Sequence, residues 1–242
     1  MAMEWFDAGP RRCWARILGQ VPAGGAPLVV VLAGGEQPEL EALCARLEAA
    51  ADGGRCTGAV LAGPLQVDWD ADFTPWPAED GRGRVFAGRA DALLAWVRQV
   101  LVPAAAARFP LSGQIYPVGY SLGGLAALYF ACQGGFAGAG SCSGSLWYPG
   151  FTAYLAAHLP AGPVYLSLGG KERNTRHPLM AAVEDATAEA RRLLACRGPV
   201  AFVHERGGHF TDVPGRLARA VCWLLAPAGP GITRAGPQGW RE

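Results

Sequence analysis

The 242-residue sequence has one lysine, Lys171, and almost no excess of charge of either sign. Its 21 basic side chains are balanced by 20 acidic ones, which leaves a formal net charge of +1. A chain without a basic surplus has no general electrostatic attraction for nucleic acid or an acidic membrane surface. A membrane segment needs about 20 apolar residues in a row, and Gly, Pro, Ser and Gln interrupt the apolar stretches here. We therefore expect neither nucleic acid nor a membrane as a partner.

Cysteine pairs with the spacing of a metal or redox site are also absent. The seven cysteines are odd in number and include no C-x-x-C pair, so neither a disulfide framework nor a zinc site is expected. The spacing of His and Cys suggests no metal and no organic cofactor. The first 19 residues mix acid and base without a continuous apolar segment, which is not typical of a secretory signal. These features favour a cytoplasmic protein with free thiols.

Charge is missing altogether from the middle of the chain. Residues 109–170 contain no Asp, Glu, Lys or Arg. Strands in the middle of a parallel sheet are covered by helices on both faces and therefore carry few charged side chains. We interpret this uncharged block as the centre of such a sheet.

Short apolar runs ended by turn residues alternate with helical patterns along the chain, which predicts an α/β fold. The sheet is expected to be doubly wound and mostly parallel, with helices on both faces and no large lid domain. Residues 1–228 are predicted to form a single domain, with strands within 1–25, and residues 229–242 a flexible tail. The predicted strands are 26–35, 56–64, 114–121, 136–145, 162–170 and 198–208, and the predicted helices are 38–50, 86–109 (divided or kinked at Pro103), 122–133, 178–197 and 209–227.

The stretch PVGYSLGGLAAL, residues 117–128, places Ser121 in a G-x-S-x-G pattern. The chain has 34 glycines, so the pattern alone could be a glycine-rich turn packed for topology. Its setting is more specific, because a predicted strand enters the turn and a predicted helix leaves it. That placement is typical of a nucleophile elbow, in which a strained turn exposes the serine hydroxyl at a helix N-terminus.

A serine nucleophile needs a base, and the chain has four histidines. His209 follows the last predicted strand on a glycine-rich loop, where the chain order Ser, acid, His places the base. His158 falls on a predicted surface helix or loop, His177 precedes a helix, and His204 lies within a strand. His209 is therefore the predicted base.

The acid is expected between the serine and the histidine, at the carboxyl end of a strand. No Asp or Glu occurs between Ser121 and Lys171, and the next carboxylate is Glu172 in LSLGGKERN. The later acids lie within a predicted helix (Glu184, Asp185, Glu189) or on the last strand (Glu205). Glu172 is the predicted acid, and the alternative is a solvated loop charge paired with a neighbouring Lys or Arg.

Residues 26–226 resemble the esterase branch of the α/β-hydrolase superfamily, which includes enterochelin-type siderophore esterases, S-formylglutathione hydrolases and feruloyl esterases. The segments that carry the resemblance are GYSLGGLAAL, YLSLGGKE and GGHF, with DFTPWP (72–77) similar to the substrate loop of this group. The resemblance implies an α/β-hydrolase fold and a Ser121–Glu172–His209 triad. Glu replaces the commoner Asp at the acid turn, and some siderophore esterases work with a Ser–His dyad.

The mechanism of this fold also requires an oxyanion hole. Its donors are predicted to be the backbone N–H of Leu122 and one from Gly34 or Gly35, in the turn after the first core strand. Five aromatic residues on loops are expected to face the substrate pocket, with ordinary core packing as the alternative. They are Trp69, Phe73, Trp76, Trp147 and Tyr148.

The sequence thus predicts a serine carboxylesterase whose partner is a small-molecule ester, either an acyl ester or a siderophore-like one. Two alternatives stay open: an acyltransferase on the same fold, and a non-catalytic relative that uses the pocket for binding. Product analysis with an added alcohol distinguishes the esterase from the acyltransferase. Reaction of the serine with a serine-directed reagent tests the non-catalytic alternative.

Overall fold

A computed structural model describes residues 2–34 and 37–227 of the chain. Eight strands form one sheet: β1 (Glu4–Ala8), β2 (Arg11–Leu18), β3 (Ala26–Leu32), β4 (Ala59–Pro64), β7 (Leu111–Tyr120), β8 (Ala139–Cys142), β9 (Val164–Gly169) and β10 (Val200–Glu205). Two short strands, β5 (Ala78–Glu79) and β6 (Val85–Phe86), form a separate hairpin. The order in the sheet is β1-β2-β4-β3-β7-β8-β9-β10. β2 pairs antiparallel with both β1 and β4, and all other pairs in this sheet are parallel.

Helices cover both faces of the sheet. Successive side chains of a strand point to opposite faces, and the buried side chains of the sheet accordingly belong to two hydrophobic clusters. The helices are α1 (Gln37–Asp52), α2 (Trp69–Asp72), α3 (Ala90–Trp96), α4 (Val102–Ala106), α5 (Leu122–Cys132), α6 (Phe151–Ala157), α7 (Pro178–Ala181), α8 (Val183–Ala195) and α9 (Val213–Leu224). α1 and α9 bury apolar side chains against one face, and α3, α5, α6 and α8 do so against the other. The predicted α/β class and mostly parallel sheet are therefore confirmed, and the described ranges contain no large lid domain.

Several element boundaries differ from the sequence-based ones. The predicted helix 86–109 begins only at Ala90, because Val85 and Phe86 pair with β5. A π-helical segment, Val97–Leu101, separates α3 from α4, so the division lies just before Pro103. The last helix begins at Val213, which leaves His209 on a loop, where a base can reach the serine.

Pro117 lies inside β7, a central strand, although it cannot donate a backbone hydrogen bond. It is paired in register with Val30 of β3, and the ladder with β8 begins one residue later, at Val118. Ser121 donates its N–H toward β8, to the Cys142 carbonyl. Backbone groups two and four residues apart in a strand point the same way, so the Pro117 nitrogen faces the β8 side, one residue before the β7–β8 ladder begins.

The predicted tail 229–242 and the predicted oxyanion-hole residue Gly35 lie outside the described residues. All seven cysteines are free; five are buried, Cys132 is half-buried and Cys196 is exposed. Over the described parts of the chain, no helix is both long and apolar enough to cross a membrane.

Candidate active site

Ser121 lies at the turn between β7 and α5, with backbone angles φ 57° and ψ −122°. A positive φ is a strained conformation for a residue with a side chain. The two motif glycines make the turn possible, because a Cβ on Gly119 would lie 2.0 Å from the Gly123 carbonyl oxygen. A Cβ on Gly123 would lie 1.7 Å from the carbonyl oxygen of Leu32 in β3. The G-x-S-x-G spacing is therefore required by backbone packing between β7, α5 and β3.

His209 lies on the loop between β10 and α9 and reaches back to the serine. Its Nε2 is 3.0 Å from Ser121 Oγ, and its Nδ1 is 2.7 Å from Glu172 Oε2. An ionised carboxylate only accepts hydrogen bonds, so the neutral imidazole carries its proton on Nδ1 and leaves Nε2 free to accept from the serine hydroxyl. The structure thus brings together the three residues that the sequence predicted as nucleophile, base and acid.

Glu172 lies in the turn after β9, and its side chain is only 3% exposed. Its Oε1 accepts from the Gly169 N–H at 2.6 Å, Ser143 Oγ at 2.8 Å and Arg216 Nη1 at 2.8 Å. Burial by itself would raise the pKa of Glu172, but hydrogen bonds from His209, Ser143 and Gly169 outweigh it and lower that pKa below its ordinary value. The carboxylate is therefore held ionised beside the imidazole. The alternative of a solvated loop charge does not describe this geometry.

The other three histidines are remote from the serine. His204 is exposed on β10, and His158 contacts the carbonyl of Tyr154 at the end of α6. His177 precedes α7, as predicted, but it is buried, with Nε2 2.9 Å from Asp80 Oδ2.

A cavity of about 530 Å³ opens over Ser121 and His209. Trp69 and Trp147 line it, as predicted, and so do Leu122, Met180 and Phe210. Phe210, next to the predicted base, is 88% exposed. The lining thus combines apolar side chains with the polar groups around Ser121 and with the charged residues Glu39 and Arg84, a mixture that is typical of a small-molecule site.

The other three predicted pocket aromatics pack into the core, and the pocket prediction is wrong for them. Phe73 is fully buried and packs edge-on against Trp69 from behind. Tyr148 is also buried and donates its hydroxyl hydrogen bond to the carbonyl of Trp76, whose indole N–H donates to the Pro149 carbonyl. These hydrogen bonds tie the 72–77 loop to the segment after β8, so its aromatics support the cavity wall without lining it.

Of the predicted oxyanion donors that the structure describes, Leu122 lies at the cavity and Gly34 lies beside it. Leu122 lines the cavity as the first residue of α5, and N–H groups in the first turn of a helix have no acceptor within the helix. Gly34 follows β3 with φ +56°, next to the cavity residue Ala33, and a Cβ on it would lie 3.1 Å from the Trp69 ring.

Four polar side chains that contact Ser121, Glu172 or His209 were not predicted. One is Ser145, whose Oγ lies 3.5 Å from Ser121 Oγ in the cavity lining. Ser143 and Arg216 contact Glu172, and Tyr120 donates a hydrogen bond to the carbonyl of His209. Burial raises the pKa of Tyr120 to about 12, which keeps its hydroxyl protonated. Ser143 has a positive φ of 46°, yet no local motif distinguishes these residues in the sequence. Within 2–34 and 37–227 no cluster of His, Cys, Asp and Glu could hold a metal ion.

No protein-family model matches the sequence, and no curated protein matches it. Solved structures do match over most of the chain. An IroE-like serine hydrolase from Shewanella oneidensis is similar with a TM-score of 0.76 at 16% identity, over 93% of this chain and 80% of that one. The siderophore hydrolase EstB from Aspergillus nidulans is similar with a TM-score of 0.72 at 17% identity, over 93% and 94%.

The enterobactin esterase FES from Shigella flexneri is a larger protein with the same fold. In its structure in the presence of enterobactin it matches with a TM-score of 0.71 at 22% identity, over 92% of this chain and 58% of that chain. At these identities the likeness concerns the fold. The chain therefore has the α/β-hydrolase fold, as its motifs predicted.

Proposed function

We propose that the protein is a serine hydrolase of the carboxylesterase type that acts through a Ser121–His209–Glu172 triad. The observation that carries this proposal is the continuous hydrogen-bonded chain from Ser121 Oγ through His209 to Glu172, at 3.0 Å and 2.7 Å. The serine end of this hydrogen-bonded series faces the cavity, at the N-terminus of α5. A nucleophile, an oriented base and helix N–H donors at one point are the parts that acyl transfer needs.

In the first half of the reaction, Ser121 Oγ forms a bond to the ester carbonyl carbon while its proton passes to His209 Nε2. The carbonyl oxygen becomes an oxyanion, which the Leu122 N–H and a donor from the turn at Gly34 and Gly35 stabilise. The carbon–oxygen bond to the alcohol then breaks. The leaving alcohol takes the proton from Nε2, and the acyl group stays on Ser121.

In the second half, water replaces the alcohol. His209 takes a proton from the water as the water oxygen attacks the acyl-enzyme, and it returns this proton to Ser121 Oγ when the carboxylic acid leaves. Glu172 remains ionised throughout, because it holds Nδ1 and stabilises the imidazolium without taking the proton itself.

The proposed substrate is a small acyl ester or a siderophore-like ester. The cavity is large enough for a molecule of that size, and its walls of Trp69, Trp147 and Phe210 suit an apolar or aromatic group. Siderophore hydrolase EstB and enterobactin esterase FES, which share the fold, are named for such substrates. We also propose a cytoplasmic location, because all seven cysteines are free. We further propose a single catalytic domain over 1–228, because the first strand, β1, and the last, β10, belong to the same eight-stranded sheet.

The first test is intact mass spectrometry after incubation with a fluorophosphonate probe. We expect one adduct on the wild-type protein and none on Ser121→Ala, because only an activated serine attacks the phosphorus centre. Absence of an adduct on the folded wild-type protein would overturn the proposal and favour a binding role for the cavity.

The substrate is tested next with chromogenic acyl esters and with enterobactin, each with and without an added alcohol. Hydrolysis gives the free acid at a yield that the alcohol does not change. A transferred acyl group would appear as a new ester and would make the protein an acyltransferase on the same triad.

A further inference from the structure

Arg216, in the first turns of α9, has a side chain with no solvent exposure. It contacts residues at or just after the carboxyl ends of four neighbouring strands of the sheet. Nη1 donates to the Tyr120 hydroxyl at the end of β7, to Ser143 Oγ after β8 and to Glu172 Oε1 after β9. Nη2 donates to two backbone carbonyls after β10. One guanidinium thus joins every loop that delivers a triad residue.

The contacts of Arg216 with Glu172 give the two carboxylate oxygens different hydrogen-bond partners. Oε1 accepts from Arg216 Nη1, from Ser143 Oγ and from the Gly169 N–H. These three donors already exceed the roughly two lone-pair directions of one carboxylate oxygen, so Oε1 is fully occupied. Oε2 is therefore the oxygen that serves His209 Nδ1.

The contacts on the base side fix the loop before His209. Arg216 Nη2 donates to the carbonyls of Arg206 and Gly208, at 3.1 Å and 2.8 Å, and Gly208 is the residue immediately before His209. Tyr120, whose hydroxyl oxygen also accepts from Arg216, donates to the His209 carbonyl itself. The imidazole is thus anchored through its backbone on one side and through the triad acid on the other.

The space around this arginine is closely fitted. A Cβ on Gly169 would lie 2.8 Å from Arg216 Nη2 and 2.8 Å from Glu172 Oε1, so a larger residue at 169 would displace the pair. A buried ion pair is an inefficient way to stabilise a fold, because both charges lose their hydration. Retaining one at this point is better explained by the residues that it positions.

We propose that Arg216 is a positioning residue for both the acid and the base of the triad, and that its positive charge also limits how strongly Glu172 holds the protonated form of His209. This inference rests on the proposed function. The titratable side chains that contact the network are Glu172, His209, Tyr120 and Cys142, whose thiol donates to the backbone carbonyl of Arg216. Geometry and charge are separable, because lysine keeps the cation without the planar fork, and methionine keeps neither.

The test measures the rate of fluorophosphonate labelling of Ser121 against pH in wild type, Arg216→Met, Arg216→Lys and Arg219→Met. Arg219 is the matched control, because it lies one turn further along α9 and pairs with Glu205 and Asp212 away from the cavity. Circular dichroism and thermal unfolding establish which variants are folded.

We expect Arg216→Met to label at least about tenfold more slowly and the acidic limb of its pH profile to move to higher pH, since the imidazolium no longer has a cation beside its carboxylate partner. Arg216→Lys should lose rate but keep the acidic limb close to that of wild type. Arg219→Met should match wild type in both.

A folded Arg216→Lys that labels as fast as Arg219→Met would overturn the positioning role, and an acidic limb of Arg216→Lys that moves to higher pH would overturn the role of the charge. Both outcomes can be read even where Arg216→Met does not fold. A folded Arg216→Met that behaves like wild type would overturn it as well. Wild-type protein that does not label at any pH would instead remove the proposed function, and this inference with it.

Discussion

The uncharged block, residues 109–170, and the charged segment after it, residues 171–219, each supply part of the candidate site by different means. The block delivers Ser121, and it fixes this residue by backbone contacts: Gly119 and Gly123 leave no room for a side chain. The charged segment delivers Glu172, His209 and Arg216, and it fixes them by hydrogen bonds between polar groups.

This difference predicts which kinds of substitution the uncharged block and the charged segment should each tolerate. A position set by steric fit responds to volume, because close-packed backbone cannot give way. A position set by charged hydrogen bonds responds to protonation and to loss of a partner, because an unpaired buried charge is costly. Substitutions in the two segments therefore test whether steric fit and charged hydrogen bonds respond differently.

The largest effect is expected where the two halves meet. Ser121→Ala and His209→Ala should each lower kcat/KM for an ester substrate by roughly four to six orders of magnitude, because either change removes proton transfer from the nucleophile. Steady-state kinetics on a chromogenic ester measures this. His204→Ala is the matched control, since His204 is exposed on β10. A damaging His204→Ala beside a harmless His209→Ala would make the base assignment wrong.

Glu172→Gln should lower kcat/KM by roughly two to four orders of magnitude, less than loss of the serine or the histidine. The amide keeps the volume but no longer stabilises the imidazolium. Kinetics on the same ester measures the loss, with Glu184→Gln as the control because Glu184 pairs with Arg173 on an exposed surface. A wild-type rate for Glu172→Gln would show that Ser121 and His209 work as a dyad.

Gly123→Ala tests the steric half of the comparison. The new methyl would lie 1.7 Å from the Leu32 carbonyl oxygen, so we expect the free energy of unfolding to fall by about 3 kcal/mol or more. Denaturant unfolding measures it. Gly24→Ala is the control, because nothing lies within 4 Å of its added Cβ. A Gly123→Ala protein as stable as Gly24→Ala would show that the elbow can relax.

The smallest effect concerns pH and the polar half. The pKa of Glu172 in the folded protein is below its ordinary value, so the ionised carboxylate adds stability above about pH 4.3, the value of a free glutamate. That contribution is lost as the pH falls through the lower, folded value. The difference in unfolding free energy between wild type and Glu172→Gln should therefore be largest at neutral pH and should decrease as the pH falls below about 4.3. Thermal unfolding at stepped pH measures it, and a difference that stays constant with pH would contradict it.

Local signals in the sequence predicted the fold and singled out Ser121, Glu172 and His209, which the structure brings together. The alternation of strands and helices, the uncharged block and the G-x-S-x-G pattern each depend on neighbours along the chain. The same logic was wrong for Phe73, Trp76 and Tyr148. Aromatic residues on loops suit a pocket wall and a core equally, and only contacts distant in sequence, such as that between Tyr148 and Trp76, decide between the two.

Chain order and strand ends can be read along the sequence, and they were enough to locate the turn at Ser121 and to single out Glu172 and His209 after it. The groups that hold Glu172 and His209 in place became visible only in the tertiary structure. Arg216 is one of 20 arginines and lies in an ordinary helical segment. It reaches Glu172 and the loop before His209 because the first turns of α9 lie beside the carboxyl ends of β7 to β10. No pattern along the chain records which side chain fills the space between four strand ends.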